Sequence, residues 1–175
     1  DGAIASKKPV ILNSAGTVTE VTGGTSTTTT TTSADIGDAV QFETGNVAYV
    51  SSVYDTNAKK VVAFYLDYGN SQYGTACVGT STGGTTNSIS WGTPVVFNSG
   101  GTTENNAVFD SNANKIINVY KDGGASNYGN AIVGTVSGTS ISFGSEATWN
   151  AGSTTNIGAA FDSTANKVVI AYRDD

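Results

Sequence analysis

Histidine and methionine are absent from this chain, and cysteine occurs once, at Cys77. Without histidine, the commonest general base near neutral pH and the commonest metal ligand are both missing. A single cysteine permits no intrachain disulfide and no cysteine-built zinc site. These gaps weigh against an enzyme, so no catalytic residue, metal ligand or cofactor is expected. Charge is scarce as well: 13% of residues are Asp, Glu, Lys or Arg, with a net charge of −6. Such a surface repels phosphate backbones, and nucleic acid is not an expected partner. No apolar run approaches the ~20 residues of a membrane-spanning helix, and no stretch holds apolar residues at helical spacing. The chain opens on polar Asp1-Gly2, with no secretory leader in view.

What remains is 38% hydrophobic residues in a background of Gly, Ser, Thr and Asn. That is too apolar for disorder, and the polar part favours turns and extended strands over helix interiors. Self-similarity then organises the chain. Trp91-Gly92-Thr93-Pro94-Val95-Val96-Phe97 recurs as Phe143-Gly144-Ser145-Glu146-Ala147-Thr148-Trp149, 52 residues later, and Ile36-Gly37-Asp38-Ala39-Val40-Gln41-Phe42 precedes it by 55. Each copy continues through a Phe- or Tyr-Asp block, at Tyr54-Asp55, Phe109-Asp110 and Phe161-Asp162. An apolar run closing on Tyr-x-Asp follows, at Tyr65-Leu66-Asp67, Tyr120-Lys121-Asp122 and Tyr172-Arg173-Asp174. The first two copies go on to Tyr73-Gly74-Thr75-Ala76-Cys77-Val78-Gly79-Thr80 and Tyr128-Gly129-Asn130-Ala131-Ile132-Val133-Gly134-Thr135; the third reaches Asp175 before that block.

Turn chemistry cuts each copy into four short strands, in the second copy near 93–98, 105–110, 115–121 and 130–137. The third of these is apolar on both faces: Ile116 and Tyr120 point one way, Ile117 and Val119 the other. A strand of that kind lies in a sheet covered on both sides. The expected fold is therefore all-β: repeated four-stranded antiparallel sheets of about 50 residues, propeller-blade-like or stacked, behind an N-terminal hairpin. The expected organisation is an N-terminal strand or hairpin segment (1–22), a Thr-rich linker (23–35), repeat 1 (36–90), repeat 2 (91–142) and a partial repeat 3 (143–175).

Asp55, Asp110 and Asp162 fall once per copy at a hairpin, where aspartate bonds its own backbone, so they read as turn residues before they read as a carboxylate array. Asp67, Asp122 and Asp174 likewise open loops. Cys77 takes the place of Ile132 and reads as a small buried hydrophobe. Tyr65, Tyr120, Tyr172, Tyr73 and Tyr128 read as packing between sheets, with a carbohydrate groove as the competing reading. The unbroken tract Thr27, Thr28, Thr29, Thr30, Thr31 and Thr32 is a flexible tether or a clustered O-glycosylation site; no N-glycosylation sequon occurs.

The phrases Lys8-Pro9-Val10-Ile11-Leu12-Asn13-Ser14-Ala15-Gly16-Thr17-Val18, Phe109-Asp110-Ser111-Asn112-Ala113-Asn114-Lys115 and Asn127-Tyr128-Gly129-Asn130-Ala131-Ile132-Val133-Gly134-Thr135 resemble repeat modules of tail-fibre and related structural proteins of aquatic bacteriophages. The resemblance covers nearly everything but the Thr tract. It implies stacked β repeats in a virion appendage, a structural or adhesive role, and no catalytic residues.

The third copy also lacks its fourth block, which leaves a sheet edge that proteins normally cover. Either a strand from elsewhere fills the gap or these residues belong to a longer chain. The expected acceptor edge is Val168, Val169, Ile170, Ala171 and Tyr172. The expected donor is the 2–12 segment of a neighbouring copy, through Ala3, Ile4, Lys8, Pro9, Val10, Ile11 and Leu12. Residues 23 to 34 extend to roughly 40 Å, which gives that donor its reach. The expected function is a structural subunit of an extracellular or virion-surface fibre, a homo-oligomer or filament of copies of itself. The competing function is a receptor- or glycan-binding propeller module whose partner is a cell-surface glycan.

Overall fold

The computed structural model describes residues 10–12, 18–20, 39–82 and 88–175. Contacts divide the chain into two compact units, Asp1–Asp35 and Ile36–Asp175. In the first, β1 (Val10–Leu12) pairs antiparallel with β2 (Val18–Glu20), Val10 opposite Glu20 and Leu12 opposite Val18.

The second unit holds β3 (Val47–Asp55), β4 (Lys60–Asp67), β5 (Tyr73–Thr82), β6 (Ser88–Trp91), β7 (Val95–Asp110), β8 (Lys115–Asp122), β9 (Tyr128–Ser137), β10 (Ser140–Phe143), β11 (Ala147–Asn150), β12 (Thr154–Asp162) and β13 (Lys167–Asp174). The described residues contain no α-helix, only two short 3-10 turns at Tyr68–Asn70 and Gly123–Ala125. The protein is all-β. Nine strands form one antiparallel sheet in the order β10-β9-β8-β7-β5-β4-β3, with β6 also on β5 and β11 also on β9; β12 and β13 form a separate pair. The sheet is open, not closed on itself.

Two hairpin devices explain the strand ends. After β3, β7 and β12 the chain turns on Asp55, Asp110 and Asp162, whose Oδ1 atoms each accept from the backbone N–H groups two and three residues on, at 2.8–3.0 Å. Each turn closes on a left-handed residue, Lys59, Asn114 or Asn166. After β4 and β8, Asp67 and Asp122 accept from Gly69 and Gly124 N–H, both at 2.8 Å, and start the 3-10 turns.

One difference from the sequence reading concerns residues 93–110. Asn98-Ser99-Gly100-Gly101 resembles a turn separating two strands, yet β7 runs unbroken for 16 residues. Its first part pairs with β5 and its second with β8, so it joins the two halves of the sheet. The glycine here serves close approach: a Cβ on Gly100 would lie 2.9 Å from Asp122 Oδ1 and 3.0 Å from Gly124 Cα. The boundaries drawn at 90/91 and 142/143 fall within β6 and β10, whose partners β5 and β9 precede them.

The first strand of each copy carries a bulge, between Ala48 and Ser51, Thr103 and Asn106, and Thr155 and Gly158. The residue that starts it is left-handed each time: Tyr49, Glu104 and Asn156, with φ of 51°, 56° and 54°. The core lies between the two halves of the sheet. Val62, Phe64, Ala76 and Val78 meet Ile116 and Ile141, with Val53, Phe97, Phe109 and Phe143 around them. Each Val, Ile or Phe among them contributes about 1.5–3 kcal/mol on full burial.

Candidate assembly edge

Three strands share one sequence plan: Lys60-Val61-Val62-Ala63-Phe64-Tyr65-Leu66-Asp67 in β4, Lys115-Ile116-Ile117-Asn118-Val119-Tyr120-Lys121-Asp122 in β8, and Lys167-Val168-Val169-Ile170-Ala171-Tyr172-Arg173-Asp174 in β13. Their surroundings differ. β4 lies between β3 and β5, and β8 between β7 and β9. Among the described residues β13 pairs with β12 alone, from Thr154 opposite Asp174 to Asp162 opposite Lys167. Val62 is fully buried while its counterpart Val169 is 56% exposed; Tyr65 and Tyr120 are fully buried while Tyr172 is 43% exposed. Val168 and Ile170 are half-buried and Ala171 is exposed.

The inner side of β13 is nonetheless built. An aromatic joint recurs: Phe42 meets Tyr65 edge-on at 5.1 Å, Phe97 meets Tyr120 at 5.2 Å, and Trp149 meets Tyr172 at 4.8 Å. The end of the strand is tied down. Asn150 Nδ2 donates to Asp174 Oδ1 at 3.0 Å, Asp175 N–H donates to Ser153 O, and Arg173 pairs with Asp175 at 2.6 Å. The expected acceptor residues Val168 to Tyr172 therefore lie in an anchored strand with one edge unpaired among the described residues. Of the expected donor residues, Val10, Ile11 and Leu12 lie in β1 and pair with β2 of their own chain. Ala3, Ile4, Lys8 and Pro9, and Thr27 to Thr32, lie outside the described residues.

The paired strands show what an occupied edge looks like. Lys60 Nζ donates to Thr80 Oγ1 and Lys115 Nζ to Thr135 Oγ1, both at 2.7 Å, so the lysine opening the strand reaches a threonine on the next one. At the far end Tyr120 donates to Glu146 Oε2, and Asn130 Nδ2 donates to Glu146 Oε1 at 2.8 Å and Asp122 Oδ2 at 3.1 Å. Burial, then the Glu146 hydrogen bond, pushes the Tyr120 hydroxyl far above its ordinary pKa; burial and the nearby Glu43 carboxylate do the same for Tyr65. The sequence reading named neither the lysine–threonine link nor the Phe42, Phe97 and Trp149 series, although the aligned blocks already placed those aromatics in register.

Other candidates have structural partners. Cys77 is fully buried, its thiol donating to Gly92 O at 3.1 Å, and burial raises its pKa. The described residues contain no cluster of three or more His, Cys, Asp or Glu side chains able to hold a metal ion. No helix among them is long and apolar enough to cross a membrane. Comparison with protein-family models, curated proteins and solved structures finds no match for the chain.

Proposed function

We propose that this chain is a structural subunit of an extracellular or virion-associated fibre whose copies join by β-strand pairing at the edge of β13. The observation that carries the reading is the contrast among three like strands. β4 and β8 are enclosed, and β13 repeats their two-faced apolar pattern with its outer edge exposed. An exposed, anchored, apolar edge is what strand addition uses, because main-chain hydrogen bonds supply affinity and alternate side-chain pockets supply register. The N-terminal segment of a neighbouring copy contributes to the completed sheet. Head-to-tail joining of this kind builds a filament when its rotation does not close.

The finer fold in this reading is a row of four-stranded sheets packed face to face in the manner of propeller blades. Side-chain links between the first strands support it. Asn105 Nδ2 donates to Tyr49 O at 3.1 Å and Ala107 N–H to Ser51 Oγ at 3.0 Å, while Ala159 N–H donates to Asn106 Oδ1 at 3.2 Å. Thr27 to Thr32 serve as a tether that accepts O-linked sugar, which intact-mass measurement of protein from its native source would test.

Electron microscopy of the purified chain tests the assembly reading, beside a variant with Ile170→Pro, which cannot keep a regular ladder at that edge. Filaments from the parent chain and monomers from the folded variant support it; monomers from both, or filaments from both, refute it. A second reading, glycan binding, is favoured by an open cleft of about 440 Å³ lined in part by Tyr49, Gln72, Glu104, Lys121 and Asn127. A glycan panel on which Tyr49→Ala loses all signal would support that reading, and a blank panel would refute it.

A further inference from the structure

We infer that the edge of β13 is specific for a strand of the pattern Tyr-Gly-x-Ala-x-Val-Gly-Thr, the pattern that β5 and β9 present to β4 and β8. The inference rests on the assembly reading and names its partner. In both enclosed cases the strand beside the shared plan follows that plan closely, Tyr73 to Thr80 in β5 and Tyr128 to Thr135 in β9. The registers are identical. Asp67 faces Tyr73 and Asp122 faces Tyr128; Phe64 faces Ala76 and Val119 faces Ala131; Val61 faces Gly79 and Ile116 faces Gly134. Carried onto β13, Asp174 takes the tyrosine, Ala171 the alanine and Val168 the second glycine. Lys167 takes the threonine that Lys60 and Lys115 hold at 2.7 Å.

The glycines have a steric cause. A Cβ on Gly74 would lie 2.7 Å from Phe97 Cζ, and one on Gly129 would lie 2.5 Å from Trp149 Cζ2; Gly79 and Gly134 meet Ile89 and Ile141 Cδ1 at 2.7 and 2.6 Å. Those bulky residues belong to the next strand out. The inserted strand must therefore be small where its outer neighbour is large.

The same register shows why the N-terminal segment is not the immediate neighbour of β13. Ile4, Pro9, Val10, Asn13, Ser14, Gly16 and Thr17 repeat Ile89, Pro94, Val95, Asn98, Ser99, Gly101 and Thr102 at a constant spacing of 85. In the fold, Ile89 and Val95 lie in β6 and β7, which pair with β5 and not with β4. The N-terminal segment thus has the sequence of the outer strand, one place beyond the strand that β13 needs. The pattern occurs twice in the sequence, and both occurrences are already paired on two sides, β5 by β4 and β7, β9 by β8 and β11.

Peptides added to the full chain test this by amide hydrogen exchange. A peptide of residues 128–137 is expected to slow exchange across 167–174 at least tenfold, leaving 115–122 unchanged. A Lys167→Ala chain, which lacks the partner that Lys60 and Lys115 give to Thr80 and Thr135, should lose most of that protection. Protection of 167–174 by a 2–12 peptide in its place, or by neither, overturns the inference. Filament imaging decides the assembly reading separately: filaments that depend on β13 while the 128–137 peptide fails to bind would sink the strand assignment alone.

Discussion

Alkali should unfold this protein through two tyrosines. Tyr65 and Tyr120 are fully buried, and both hydroxyls have pKa values raised well above 10.0, by burial first and then by Glu43 or Glu146. A folded-state pKa above the unfolded value gives stability that is complete below pH 10 and is lost as pH climbs towards the folded value. In that window the unfolded chain releases protons that the folded chain retains. Each such tyrosine then costs about 1.4 kcal/mol by pH 11 and about 2.7 by pH 12, so the pair costs about 5.5 kcal/mol at pH 12. Against a usual domain stability of about 5–15 kcal/mol, that is enough to bring on cooperative unfolding. The assay follows tyrosinate absorbance and circular dichroism together during an alkaline titration. Of the eight tyrosines, two are expected to ionise only as the folded signal disappears. Tyr120→Phe should cost about 1–2 kcal/mol at neutral pH, since a hydrogen bond to a carboxylate is lost, and should remove about half of the alkaline dependence. Ionisation of all eight tyrosines with the folded signal intact would refute the assignment.

Three further outcomes follow from packing and hydrogen bonding. Gly129→Ala drives a methyl into Trp149, whose ring atoms lie within 2.5–2.8 Å of the new Cβ, and should lower stability by about 1–3 kcal/mol in urea unfolding. Asp55→Ala removes a buried acceptor for Asn57 and Ala58 N–H and should cost about 1–2 kcal/mol, while Asp162→Ala at its exposed counterpart costs less. Equal losses at the two sites would show that burial does not set the difference. Asn106→Ala leaves Ala159 N–H and Ile157 O without their side-chain partner, so hydrogen exchange in β12 should accelerate while β8 stays protected.

How far the sequence speaks depends on whether a signal is local. The aspartate turns were legible because aspartate bonds its own backbone two and three residues on, needing no distant partner. The apolar-on-both-faces pattern of β4, β8 and β13 was legible for the same reason, and it singled out Val168 to Tyr172. The continuity of β7 was not, since Gly100-Gly101 in isolation is turn chemistry. Its actual role, admitting Asp122 and Gly124 against the strand, depends on residues more than twenty positions away. The lysine–threonine link is hidden similarly: Lys115 and Thr135 are separated by 20 residues, and register alone brings them together. The aromatic series Phe42, Phe97 and Trp149 was aligned in the sequence but looked like strand filling. Only its placement against Tyr65, Tyr120 and Tyr172 gives it a joining role.

The joint between first strands also bears on which surface of the third copy meets a neighbour. Ser51 Oγ accepts from Ala107 N–H, and at the corresponding place Asn106 Oδ1 accepts from Ala159 N–H, so one side chain per copy satisfies an amide of the next. The third member of that series is Gly158, which has no side chain to offer. The glycine is not there for lack of room, because the nearest atom to an added Cβ is Ala171 O at 4.0 Å. Nor is a positive φ the reason, since Gly158 is not among the residues with one. Gly158 therefore offers no such lateral link from β12 by residue choice, which leaves the edge of β13 as the route for joining in the proposed fibre. Gly158→Ser should accordingly fold with stability within about 0.5 kcal/mol of the parent, as expected for a change in open space. The filament content of its preparations should still depend on Ile170. Assembly that becomes independent of Ile170 in the Gly158→Ser chain would show that the two surfaces compete. A loss of several kcal/mol would show instead that the fold requires the glycine.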